Sequence, residues 1–394
     1  MTRTIASTVK HTRDLPDAIV QSRVLLTGYF AGLGVVMAVW GTRIPAVQES
    51  AGLSTAGLAA VLLAAAVGMV GGLQVGGRLA DPARIPQLLI SGAFGLAAAL
   101  ALLGFCRTPV ALVGAALFFG VTHGVLDVAL NAAAVRCQDA YGRPIMSGLH
   151  AAYSLGALGG AVLAAIAAHY SHTYTFGITA AVAIMATAAV MPATHRVGSP
   201  AVDLDPAETA ARENAPGISR FRIWLLGLLA AACLLGEGAA ADWSAVHLDG
   251  LHASAATSAA AYAGYSAAMA GGRLVGDRLI AHFGAPKVVR TGAILSAVGL
   301  LAGLSLADAP FALAGWAVFG LGLSVTIPSL FSAAGAGGPR AVATVAVAGY
   351  LGLLAGPALI GALATATTLP AALMLPALLA AGVAALSRQA LENR

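Results

Sequence analysis

The chain has 394 residues, 59% of them hydrophobic and 9% charged, with a net charge of +5 and a mean hydropathy of +0.86. Soluble domains carry about 25% charged residues, so the composition excludes a water-soluble globular protein and indicates a polytopic membrane protein. The basic residues flank apolar runs and form no patch, which argues against nucleic acid as a partner. Three scattered cysteines (Cys106, Cys137, Cys233) offer neither a disulfide framework nor a metal site.

Residues 1–22 are polar and lack the apolar core of a signal peptide, so the first span is expected to be retained. Apolar runs of the length that crosses about 30 Å of hydrocarbon then recur along the chain. Breaking them at charges, prolines and polar clusters predicts twelve helices, at 23–42, 54–77, 87–105, 109–134, 146–168, 174–192, 222–246, 255–275, 288–307, 310–333, 341–364 and 370–387. Between the sixth and seventh lies 193–221, rich in Pro, Ala and acids, which reads as a solvated linker. It separates an N-terminal six-helix half (1–192) from a C-terminal one (222–394). With the N-terminus in the cytoplasm, all 21 basic residues except Arg43 and Arg107 face inward, as the positive-inside rule requires. Both termini are then cytoplasmic.

The two halves look alike. "GGRL" (Gly76–Leu79) follows Trp40, and "GDRL" (Gly276–Leu279) follows Trp243, placing Arg78 and Arg278 at 38 and 35 residues from the two tryptophans. Parallel six-helix repeats with a site near the midplane are one of the known transporter plans. Together with "GGRLADPARIP" between helices 2 and 3, this organisation resembles the major facilitator superfamily. Its G-x-L-x-D signature is matched at Gly77, Leu79 and Asp81; the second-half equivalent has Ala281 in place of the acid, so that loop is expected to latch less well. "LDVALNAAAV", "GLHAAYSLGALGGA" and "GYLGLLAGPALIG" are similar to a bacterial inner-membrane branch related to fucose permease. The resemblance implies an all-α, twelve-helix membrane fold and a monomeric transporter, not an enzyme, without cofactor. It also implies a small-molecule substrate, coupling to protons, and gating by Gly77, Arg78, Asp81 and Arg278.

A charge at mid-bilayer costs at least about 2.5–3.5 kcal/mol on insertion scales, so acids inside spans face a cavity or a partner. Asp127 shares one stripe of helix 4 with His123 and Asn131, at i, i+4 and i+8. It either ties helix 4 to a neighbour or couples protons; in the fucose-permease-like pattern an acid in this part of helix 4 does the latter. His150, with Tyr153 beside it, either contacts substrate, shares a proton with Asp127 or makes an interhelical bond. In helix 7, Glu237 either couples protons, contacts substrate or bonds a neighbouring helix, with Gly236 and Gly238 able to loosen the helix around it. Asp242 is either a solvated charge or one side of an outer gate with Arg43, and Arg43 is otherwise a charge in a wet loop or a contact for a polar substrate. Trp40 and Trp243 either belong to an aromatic belt or greet substrate at that mouth. Tyr262, Tyr265, Tyr350 and Trp316 either pack or present rings and hydroxyls to a sugar. These residues favour a proton-coupled symporter of a small sugar-like or polyol-like solute. The rival is a proton-coupled exporter of small amphiphilic or toxic compounds, weakened by the lack of proline in helix 5.

Overall fold

The computed structural model describes residues 17–195 and 218–392, and among them every regular element is helical. In chain order these are α1 (Asp17–Ser50), α2 (Thr55–Leu79), α3 (Ile85–Phe105), α4 (Pro109–Tyr141), α5 (Met146–Ile166), α6 (His172–Thr194) and α7 (Arg220–Gly250). There follow α8 (Ala255–Phe283), α9 (Ala285–Ser305), α10 (Ala309–Leu323), α11 (Thr326–Ala334), α12 (Gly338–Ala366), α13 (Leu369–Ala372) and α14 (Met374–Leu391). The central part of the expected linker, 196–217, lies outside the described residues. Among the described residues ten stretches are long and apolar enough to cross a bilayer, one of them, Ala309–Ala366, holding two crossings joined at Gly335–Gly337. α8 is less apolar, built of Ala, Gly, Ser and Tyr, yet its 29 residues reach about 43 Å at 1.5 Å per residue.

The ends are set by ordinary punctuation. Ser54, Thr108, Ser171, Ser219 and Ser254 each accept a backbone N–H at a helix start. Gly142, with φ 69°, closes α4. The tenth expected helix is split, because Pro328 has no N–H for the carbonyl of Ser324 and its ring crowds that carbonyl. α10 stops at Leu323 accordingly. Pro376 divides α13 from α14 in the same way, four residues after Ala372. α7, by contrast, is unbroken. Gly236 and Gly238 do not loosen it; they let Phe319 and the Leu353 carbonyl approach.

The internal repeat is exact in register over three helices. α1 and α7 end at Ser50 and Gly250, α2 and α8 are capped by Ser54 and Ser254, and α3 and α9 start at Ile85 and Ala285, each pair 200 residues apart. Packing repeats too: α1 lies on α5 and α7 on α12; α2 lies on α4 and α8 on α10; α3 lies on α4 and α6, and α9 on α10 and α14. In this register Arg78 answers Arg278, but Trp243 answers Arg43 and Trp40 answers Ala240. The two tryptophans are therefore not repeat mates, contrary to the sequence pattern. Arg43 and Trp243 instead do equivalent work, each pressed on the fifth helix of its half.

Arg43 sits within α1, which continues through Pro45 to Ser50, and not in a loop. It is buried and donates to the carbonyls of Ala168, at 3.3 Å, and Tyr170 just beyond α5. Trp243 packs on Gly361 of α12. Asp242 is exposed and makes no ion pair among the described residues. The expected Arg43–Asp242 pair is thus absent among the described residues, Arg43 being committed to the carbonyls of Ala168 and Tyr170 past the end of α5.

Close backbone approach is what holds α2 to α4. A Cβ on Gly68 or Gly72 would strike the carbonyls of Leu117 or Val121, and one on Gly120 or Gly124 would strike those of Ala65 or Met69. Contacts between the halves gather on the side where the basic residues cluster, through α2 with α12 and α5 with α8.

Gly120→Val should destabilise the bundle by at least about 1–3 kcal/mol, the cost of overpacking, read as a lower melting temperature in detergent. Gly114→Val, which meets open space, should leave melting unchanged. Arg43→Ala should cost about 1.5–3 kcal/mol, the scale of a hydrogen bond to a charged group. In a double-mutant cycle with Asp242→Ala the two effects should add; coupling between them would restore the gate pair.

Candidate functional site

α4 presents His123, Asp127 and Asn131 on one face, all buried. Asn131 Nδ2 donates to the Asp127 carbonyl at 2.9 Å and to its Oδ1 at 3.3 Å. The second ligand of Oδ1 comes from the other half: Tyr350 of α12 donates its hydroxyl at 3.4 Å. The Tyr350 ring also stands edge-on to His123, with centroids 6.3 Å apart. Asp127 Oδ2 and Asn131 Oδ1 are buried without a partner. A buried acceptor left unsatisfied costs about 1–3 kcal/mol, which marks these two atoms as candidates for a ligand's hydrogen bonds.

Opposite them, α7 supplies Glu237, whose side chain is 21% exposed and faces Arg273 of α8 at 3.6 Å. Arg273 is the residue that sequence reasoning missed. The eighth helix was expected to end at 275, which put this arginine at the membrane boundary among the inward-facing charges. α8 instead runs on to Phe283, so Arg273 lies ten residues from its end and is buried. The unbroken run to Gly284, whose φ is 82°, was the available signal. Each nitrogen of the guanidinium serves a different element. Nε donates to the Ser324 carbonyl at 3.3 Å, Nη1 to Ser154 Oγ of α5 at 2.7 Å, and Nη2 faces Glu237. The Ser324 carbonyl is free to accept because Pro328 cannot use it.

The remaining candidates divide clearly. Tyr153, Tyr262, Tyr265 and Tyr350 lie within electrostatic range of Glu237. Tyr262 and Tyr265 stack at 6.0 Å, and the Tyr265 hydroxyl is buried without a partner. No hydrogen bond joins His150 to Asp127 among the described residues: its Nδ1 donates to the Met146 carbonyl at 3.0 Å and its ring sits between Phe30 and Phe331. Trp40 is core, packed on Phe119 and Phe176, and joins neither a belt nor the cluster. Trp316 is core as well, donating to His247. Arg43 and Trp243 are engaged elsewhere, on the carbonyls beyond α5 and on α12, while Asp242 lies within electrostatic range of Tyr262.

On the basic side the halves are locked by contacts that the sequence only half revealed. α5 has no side-chain cap of its own. Asp277 of α8 provides one from the other half, accepting Ser147 N at 2.9 Å and Gly148 N at 2.8 Å, while Ser147 Oγ donates to the Arg273 carbonyl at 2.9 Å. A carboxylate at a helix N-terminus is favoured by both the free N–H groups and the dipole. Gln138 Nε2 adds a bond to Ser332 Oγ at 2.5 Å. Gly77 allows α2 to meet Ala343 of α12. Asp81 turns back on its own loop, accepting Arg84 N at 3.0 Å and pairing with Arg84 Nε at 3.1 Å. Arg78 and Arg278 are exposed and make no ion pair among the described residues. In the second half the contact across the seam is made by Asp277 within α8 and not by a loop acid.

No family model matches the chain. Over 95% of its length it is 33% identical to an uncharacterised MFS-type transporter of Yersinia pestis, 96% of which is covered. It is 31% identical over 90% of its length to an uncharacterised transporter of Sinorhizobium fredii, covering 94% of that protein. A stretch of 140 residues, 35% of this chain and 32% of the relative, is 32% identical to the sodium-dependent glucose transporter 1A of Mus musculus. Among solved structures, the E. coli fucose:proton symporter FucP in its outward conformation superposes with a TM-score of 0.75 at 17% identity, covering 95% of this chain and 100% of that one. The proton:xylose symporter XylE gives 0.74 at 14% identity, with 96% and 97% covered. The structures speak for the fold alone. The full-length sequence relatives, joined to a two-half helical bundle with a buried polar site between the halves, make the chain a member of the major facilitator superfamily of membrane transporters.

Proposed function

We propose that the chain takes up a small sugar-like or polyol-like solute together with protons, by alternating access in a bacterial inner membrane, as a monomer with both termini cytoplasmic. The observation that carries this reading is Asp127: a carboxyl buried between the halves, bonded across them to Tyr350, with Oδ2 unpartnered. Such a group is positioned to take up a proton on Oδ2 and to report its loading to the other half through Tyr350. Solute hydroxyls would satisfy Asn131 Oδ1, the Tyr265 hydroxyl and Glu237 Oε1, each now buried without a hydrogen bond. His123, Tyr153, Tyr262 and Tyr350 offer rings and hydroxyls around the same space.

Contacts across the seam on the basic side, which in this orientation is the cytoplasm, support access from outside. Halves 1–192 and 222–394, joined through 193–221, would rock about the Asp127–Tyr350 contact. Gly77 and Ala343, and Asp277 on α5, would form the cytoplasmic gate, with Asp81, Arg78 and Arg278 at its rim. The two structural neighbours, a fucose:proton and a proton:xylose symporter, support both the coupling ion and the solute class.

Asp127→Asn mimics the protonated acid. In proteoliposomes it should retain solute counterflow and lose uphill accumulation under an imposed pH gradient. Undiminished accumulation would pass the coupling role to Glu237. Accumulation in inside-out but not right-side-out vesicles would make the chain an exporter.

A further inference from the structure

α8 carries two devices on one face, a turn apart, and they point at different things. Arg273 reaches into the polar site, to Glu237 and Ser154; Asp277 and the Arg273 carbonyl hold the start of α5. Residues at i and i+4 share a helical face, so α5 of one half is strapped to α8 of the other at Ser154, Ser147 and Gly148. Glycine makes the strap possible on both sides. A Cβ on Gly276 would strike Ser147 Oγ, and one on Gly148 would come within 2.7 Å of Asp277 Oδ2.

We propose that Arg273 is the positioning residue through which the charge of Glu237 controls the closed seam; the reading rests on the alternating-access function above. The groups facing Glu237 are Arg273, Tyr262 and Tyr265 from α8, Tyr153 from α5 and Tyr350 from α12, with Cys233 on its own helix. Arg273 is the one cation of the set. Its other two partners, Ser154 Oγ and the Ser324 carbonyl, are neutral. While Glu237 is ionised, the guanidinium is compensated where it lies. Once Glu237 is neutralised, by a proton or by engagement with solute, Arg273 is a buried charge with no counter-ion, and its position becomes strongly unfavourable. It is then drawn toward water, and it leaves Ser154 as it goes. The strap loses its upper tie, and α5 is held only at its start, by Asp277 and the Arg273 carbonyl. Neutral Glu237 therefore favours opening on the basic side.

The three native cysteines are buried, so nitroxides at Arg84→Cys and Lys287→Cys, exposed on opposite halves of the basic side, label selectively. Their separation is measured by double electron–electron resonance on the full-length protein, without solute or gradient. The parent should populate mainly the short distance. Glu237→Gln, which keeps the side-chain volume, should raise the ratio of long to short distances roughly tenfold, as the loss of a charged partner implies. Ser154→Ala, which removes a tie without leaving a lone charge, should act in the same direction. The double variant should fall short of the sum, because both act through Arg273. The proposal is overturned if both single variants match the parent while Asp277→Asn widens the distances, or if the two effects are additive. Because these distances need no transport, failure of the Asp127→Asn test would remove the symport reading and leave this result to stand or fall alone.

Discussion

A guanidinium cannot be deprotonated inside a protein, and it cannot be left bare within a bilayer-spanning bundle. Arg273 obeys both constraints at once, and much of the bundle is arranged around the consequence. Its charge faces Glu237 on α7, its fork is completed by Ser154 on α5, and its Nε takes the carbonyl that Pro328 strips from the tenth crossing. A helix break that looks like a defect is thus a ligand. The planar donor set matches three acceptors on three elements, which a lysine's single point charge would not do.

Bringing those elements within reach requires close backbone contact, and small residues supply it. Gly272 admits Ser324, Gly276 admits Ser147, and Gly148 admits Asp277. Gly272 and Gly276 of "AGGRLVGDRL" therefore serve a chemical end as well as packing: each removes a side chain where a cross-helix hydrogen bond passes. In hydrocarbon no apolar force drives helices together, so packing and interhelical bonds must do so jointly. Here both are concentrated on the basic side of the seam.

Much of this was legible in the sequence, and the illegible part has a common cause. Hydropathy and Ser, Pro and Gly punctuation marked the helices, since these are local signals. The His123–Asp127–Asn131 stripe was readable for the same reason, being fixed by helical period alone. Helix ends near charges were not. α1 outruns its expected end at 42 by eight residues and α8 its end at 275 by eight, because helices that leave the hydrocarbon continue in water without an apolar signature. That single misreading moved Arg273 to the membrane boundary and Asp277 into a loop. Tyr350 as partner of Asp127, and Asp277 as cap of α5, depend on the register between halves more than a hundred residues apart, which no local pattern encodes.

The repeat explains why the two halves nonetheless part company. At the 200-residue register Leu73 answers Arg273 and Gly77 answers Asp277, so the first half has neither the cation nor the capping acid. Its acid, Asp81, lies beyond the end of α2 and is spent on Arg84. The first-half seam, α2 on α12, is therefore steric: Gly77 against Ala343. The second-half seam, α8 on α5, is electrostatic. A steric contact has no charge to sense and responds only to distance. An electrostatic one can be read by a carboxylate in the site. The two halves share one scaffold, and the differences at 73/273 and 77/277 leave one seam without these charged groups and give the other the Arg273 and Asp277 contacts.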